Sequence, residues 1–292
     1  MRIYDPKHWF DILFQFHKHD TARKLGKLIC IITLYAAGVA YLELNFLNLS
    51  EKSYLKNLHQ MHNLLGFALS LLLVFRTNTA YDRWWEGRKL WGSLVNNSRN
   101  LAIKLHALLP ETDIETRAYF KRVIPMYASV LREHLQSEFT RYALDEKEHP
   151  ELKHMEDGKH APNQVAKMLQ NKAVGLQKQG ILTGEQLLFI NPELTSFTDI
   201  CGACERIKNT PIPYSYSAFI KKFIFVYVMT LPFGYVLSLG YLMIPVVALV
   251  FYVLASLEVI AEEIEDPFGS DTNDLPMQKM SENIKKHVAE IL

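Results

Sequence analysis

The sequence is poor in cysteine, in net charge and in any alternating strand pattern. Its only cysteines are Cys30, Cys201 and Cys204. An odd number without a spaced framework excludes a disulfide-built scaffold. The formal net charge is only +1, so the basic excess of a general nucleic-acid binder is missing. Period-two alternation of apolar and polar residues is scarce, which argues against a β-rich fold. No self-similarity of solenoid period occurs. The opening run Met1-Arg2-Ile3-Tyr4-Asp5-Pro6 puts charges and a proline where a cleavable secretory signal has its apolar region, so no such signal is expected.

What the chain does have is segregation. Charges crowd its middle third and vanish from long stretches elsewhere. Leu28 to Leu42 has none; Glu43 interrupts, and Leu44 to Leu49 continues the apolar run. A second uncharged stretch, Asn57 to Phe75, is nineteen residues long, close to what a helix needs to cross the hydrocarbon core. Phe223 to Leu257 is a third, of 35 residues. That is too long for one ordinary span at 1.5 Å per residue. Pro232, Gly234, Gly240 and Pro245 divide it into two short spans joined by a tight turn. Four spans follow.

Residues 1–27 have aromatic residues (Trp9, Phe10, Phe14, Phe16) spaced like one face of an amphipathic helix. Residues 28–91 hold the first two spans and an interfacial exit marked by Trp84, Trp85 and Trp91 among arginines. Residues 92–217 read as a helical soluble domain. Its helical patterns cover Leu94 to Leu109, Ala118 to Leu144, Gln164 to Gln179 and Thr183 to Lys208, with a polar loop at 145–163. Residues 218–266 carry the third and fourth spans, and 267–292 form a C-terminal segment.

Basic residues cluster before the first span (Arg23, Lys24, Lys27), after the second (Arg76, Arg83, Arg88, Lys89) and before the third (Lys221, Lys222). The opposite connectors hold only Lys52 and Lys56. The positive-inside rule therefore predicts a multi-pass protein of the cell membrane, with both termini and the central domain in the cytoplasm.

Three motifs stand out. The second span runs into FRTNTAYDRWWEGRKLWG; a later helix ends in GACERIKNTPIPYSY; the fourth span runs into AEEIEDPFGSDTNDLP. With four spans and a helical cytosolic domain, their order and spacing over nearly the whole chain resemble the bestrophin family, in particular its short bacterial members. The resemblance implies an all-α membrane protein that assembles as a homopentameric channel with one axial pore. The second span would line a hydrophobic neck, and the cytosolic domain would enclose a second constriction. Counting back from Arg76, the implied neck positions are Phe67, Leu71 and Phe75. Their four-residue spacing puts them on one helical stripe, as a stack of apolar rings requires, although ordinary lipid-facing or packing residues have the same spacing.

An ungapped count from Glu205 puts the second constriction near Glu185, where a ring of carboxylates would favour cations. Animal bestrophins bind calcium on an acidic loop after a proline-phenylalanine-glycine turn. Here Asp271 and Asp274 match two ligand positions, while Thr272 and Asn273 replace acids between them. Calcium favours six to eight oxygens, so any calcium site is weak and none is required. Cys201 and Cys204 form a CxxC without the strand of a redox motif or a second pair for zinc, and read as packing residues. Glu146…His149 and Glu151…His154 have ExxH spacing but share one polar loop, and so read as solvated. His59 and His62 stand where they line a pore mouth or pair by hydrogen bonds at the interface.

The sequence thus predicts a passive pore for small monovalent ions, chloride or sodium, whose partners are the lipid bilayer and further copies of the chain. The alternative is a membrane-tethered helical enzyme with a metal-dependent cytosolic domain, which would need a convergent set of acids, bases or ligands.

Overall fold

The computed structural model describes residues 21–47, 58–136, 150–151, 155–156 and 158–292. The amphipathic segment expected before residue 21, the connector holding Lys52 and Lys56, and the ExxH residues Glu146, His149 and His154 lie outside the described residues. Among those described, the structure is all-α and has no strand. In chain order the helices are α1 (Thr21–Leu42), α2 (Leu58–Leu108), α3 (Ile114–Gln136), α4 (Ala161–Lys178), α5 (Gly184–Asn209), α6 (Tyr214–Leu239), α7 (Met243–Glu265) and α8 (Met277–Ile291).

Three stretches are long and apolar enough to cross a membrane: Thr21–Leu47, Leu58–Leu108 and Tyr214–Glu265. The third is broken where glycine allows it. Gly240 has φ of +55°, a conformation that side-chain-bearing residues disfavour. The chain there makes a single 3₁₀ turn, Gly240–Leu242, between α6 and α7. The two helices pack against each other, and α1 packs against both. This unit comprises residues 21–47, 58–83 and 211–265 among those described. Its core includes Leu25, Ile32, Leu69, Leu73, Ile220, Ile224, Val228 and Phe251.

The second unit comprises Trp84–Thr210 and Asp266–Leu292. Its core gathers Trp91, Leu101, Leu105, Phe120, Tyr127 and Phe197 with Met280, Ile284 and Val288 of α8. The apolar stripe of α8 thus lies against α3. Three helix starts have a local cause. Asp113 Oδ1 accepts from Thr116 N–H at the head of α3. His160 caps α4, with Pro162 in its first turn, where a missing N–H costs nothing. Thr183 and Gln186 form a reciprocal capping box at α5.

Helix α2 runs unbroken for 51 residues. No proline occurs between Leu58 and Pro110, and its internal glycines are isolated, so nothing stops the hydrogen-bond ladder before Pro110. Residues 58–83 belong to the first unit and the rest to the second.

Candidate functional site

The first half of α2 has two contrasting sides. His62, Leu69, Leu73, Arg76 and Ala80 are buried within the unit. Phe67, Leu71 and Phe75 are 72%, 46% and 56% exposed. At about 100° per residue these two sets lie on opposite faces. The described helices therefore leave the Phe67–Leu71–Phe75 stripe uncovered. That face begins with exposed Gln60 and Asn63 and ends with exposed Asn78 and Asp82. Its apolar middle, Leu64 to Phe75, is about 17 Å long at the helical rise. A hydrocarbon core is about 30 Å thick, so this apolar stripe is short for one that faces lipid throughout.

The covered face is fixed by close contacts. A Cβ added at Gly66 would lie 2.7 Å from Tyr227 Oη of α6, so the glycine permits that approach. On that covered face Arg76 is buried, and its Nη2 donates to Glu265 Oε2 at 2.6 Å. Its Nε stands 3.6 Å from Glu258 Oε2. Glu265 Oε1 accepts from the Ile212 N–H at 2.6 Å, and Arg83 Nε donates to the Glu265 carbonyl at 3.0 Å. One residue of the acidic motif thus holds the arginine motif and the Thr-Pro-Ile-Pro motif. The same three motifs also meet within the second unit. Glu86 pairs with Arg206 at 2.5 Å. Trp84 Nε1 donates to the Asn273 carbonyl at 2.9 Å, and Gly87 lies against the rings of Phe268 and Pro267.

Of the two histidines, His62 is buried. Nδ1 lies 2.8 Å from the Leu58 carbonyl and Nε2 lies 3.0 Å from Thr230 Oγ1. Both ring nitrogens are therefore engaged inside the unit, with Leu58 and Thr230 rather than with His59. His59 is exposed and meets Tyr235 edge-on at 4.7 Å.

Glu185 lies in the first turn of α5 and is exposed. Hydrogen bonds from its own backbone N–H and from Thr183 hold its carboxyl below the usual range. Leu188, one turn on and 72% exposed, shares the face of α5 turned from the core. Sequence counting passed over it, although its apolar side chain fits a constriction as well as Glu185 does. Asp271 and Asp274 differ in their surroundings. Asp274 is buried and accepts a hydrogen bond from the Asp271 backbone N–H, while Asp271 itself is exposed. Asp274 Oδ1 has no hydrogen-bond partner. Burial first, then the neighbouring Asp271 and Asp266 charges, push the Asp274 carboxyl up to about 6 against the pull of that N–H.

Cys201 and Cys204 are buried, free and helical, as packing residues are. Burial foremost pushes the Cys201 thiol up to about 12 and raises Cys204 as well. Both remain protonated and unsuited to thiolate chemistry. Glu151 of the second ExxH pair binds Arg122 at 2.7 Å. One cluster was not anticipated: His134 Nε2 and His160 Nε2 each stand 2.6 Å from Glu205 Oε1. The three residues come from α3, the cap of α4 and α5. Nothing in their sequence spacing signals the convergence, although Glu205 lies in the Cys-Glu-Arg motif.

A family model described as "Bacterial/Fungal Bestrophin protein" matches residues 1–290. A voltage-dependent anion channel-forming protein of Nostoc sp. is 34% identical, with 98% of this chain and 92% of the relative covered. One from Escherichia coli K12, YneE, is 28% identical over the same shares of the two chains. In structure, a bacterial bestrophin homologue from Klebsiella pneumoniae matches with a TM-score of 0.79 at 24% identity, covering 90% of this chain and 96% of that one.

Proposed function

Because the chain belongs to the bacterial and fungal bestrophin family, we propose that it is one subunit of a homopentameric channel conducting small monovalent ions passively across the cell membrane. Each subunit contributes four spans: α1, the first half of α2, α6 and α7. Both termini and the domain between the second and third spans lie in the cytoplasm, as the basic clusters indicate. The observation that supports the pore most directly is the uncovered face of α2. It is apolar over a short middle and polar at both ends, the pattern of a neck between two aqueous mouths. Five copies around an axis stack the rings of Phe67, Leu71 and Phe75. Such a constriction is unfavourable to water and gates by dewetting.

The relatives' designation as anion channel-forming proteins favours chloride as the permeant ion. The neck itself carries no charge and sets no sign. Glu185 supports the opposite preference if it rings the cytosolic constriction; Leu188 in that position leaves the sign unset. Calcium is not required. With Asp271 exposed and one buried carboxylate at Asp274, a calcium site there is weak.

The test is ion flux from purified protein in liposomes, with reversal potentials in a salt gradient. The channel reading predicts protein-dependent monovalent-ion flux that reverses nearer the chloride potential. No flux from correctly inserted pentamers contradicts it. Glu185→Gln lowers cation permeability with assembly intact if Glu185 rings the pore, and unchanged reversal potentials remove it from the pore.

A further inference from the structure

We propose that His134, His160 and Glu205 form a binding site for a divalent transition-metal cation, with zinc the best fit. The three donor atoms lie within 4.8 Å of one another. The two imidazole rings stand 4.6 Å apart, centre to centre. The side chains are 25%, 33% and 27% exposed, so an ion has access from solvent.

The chemistry of the donors selects the ion. Two imidazole nitrogens and one carboxylate are a ligand set that zinc accepts, with a fourth position left for water. Calcium and magnesium prefer all-oxygen surroundings and fit two imidazoles poorly. Zinc bonds of about 2.0–2.2 Å put tetrahedral ligands roughly 3.3 Å apart. Each nitrogen now stands 2.6 Å from Glu205 Oε1, so these two pairs need to open by less than an ångström, while the two nitrogens already lie within 4.8 Å of each other.

The proton balance is local. In the metal-free cluster each ring donates its Nε2–H to Glu205 Oε1. The Asn163 backbone N–H points at His160 Nδ1 at 3.2 Å, which fixes that ring's proton on Nε2. When zinc takes Nε2 of His160, that proton moves to Nδ1, which then no longer accepts from the Asn163 N–H, and no net proton leaves the ring. The ion thereby exchanges one long capping bond at the head of α4 for coordination that joins three helices.

The experiment uses the full chain, tag-free, purified in detergent and stripped with a chelator. Cobalt(II), zinc's coloured stand-in, is titrated in and then displaced with zinc. One cobalt per chain should bind, with the visible absorption of a four-coordinate nitrogen–oxygen site, and zinc should abolish that absorption. His134→Gln and His160→Gln should each weaken binding by at least about tenfold. Glu205→Gln, which keeps an acceptor for both rings, supplies the same comparison if a histidine variant does not fold. Absence of saturable binding to the folded parent overturns the proposal. Unchanged affinity in the variants overturns it too, because the ion then sits on other histidines among the eleven in the chain. Ion flux is not part of the readout, so the result is separate from the channel reading.

Discussion

Asp274 shows how a single residue departs from what its letter implies. In the sequence it is one of two acids after a Pro-Phe-Gly turn. In the structure its carboxylate turns inward, accepts the Asp271 N–H and leaves Oδ1 without a partner. Its carboxyl is raised to about 6, chiefly by burial, above the ordinary aspartate range near 4. A raised folded-state pKa means that the folded protein holds this proton more tightly than the unfolded chain. The resulting stabilisation is complete below about pH 4 and is lost as pH rises through 6. Asp274→Asn mimics the protonated form and keeps an acceptor for the Asp271 N–H. The variant should melt roughly a few degrees higher than the parent near pH 7.5, with the gap shrinking towards pH 5. A gap that is the same at both pH values contradicts the burial account. Added calcium that raises the melting temperature of the parent alone would instead make this carboxylate a ligand. Burial of one carboxylate in a turn has no periodic signal, so it was not legible beforehand. Phe67, Leu71 and Phe75 were legible as a stripe because their spacing repeats at the helical period. Which side of the helix remained uncovered required the packing of α6 on α2. The His134–His160–Glu205 cluster was illegible for a similar reason, since its members meet only when three helices pack.

Among the elements, the sequence reading was strongest where backbone chemistry dictates the outcome. The division of the long apolar stretch near Gly240 follows from glycine's access to positive φ, and α2 ends ahead of Pro110. The meeting of the three motifs was the unreadable part, because ion pairs between distant segments leave no local trace. Glu265 at the end of α7 joins α2 through Arg76 and the head of α6 through Ile212. Arg76 is 1% exposed, so it relies on these partners. Removing a partner from a buried ion pair costs about 3–5 kcal/mol, because the remaining charge stays buried. Glu265→Ala should therefore lower stability by about that much. Glu265→Gln, which keeps acceptors for Arg76 and Ile212, should cost less. Thermal melting of both variants in one detergent checks the order. Equal, small losses would mean that Glu258 alone suffices for Arg76.

At the scale of the whole molecule, topology and assembly follow from charge and symmetry. Labelling of single introduced cysteines from outside intact cells tests the topology. A cysteine at Lys52 should label, and one at Glu156 should label only after the membrane is opened; the reverse pattern inverts the protein. One copy of the Phe67–Leu71–Phe75 stripe cannot enclose an axial pore, so the proposed channel needs several copies, five in the assembly proposed above. The most direct measurement replaces Phe67, Leu71 and Phe75 together with alanine and reads liposome ion flux, oligomer mass and melting temperature on one preparation. Wider rings let water stay in the neck, and an ion crossing it keeps more of its hydration. The account predicts flux well above the parent from an intact pentamer. Flux no higher than the parent's, with lower stability or with a monomer or dimer in place of the pentamer, would contradict it.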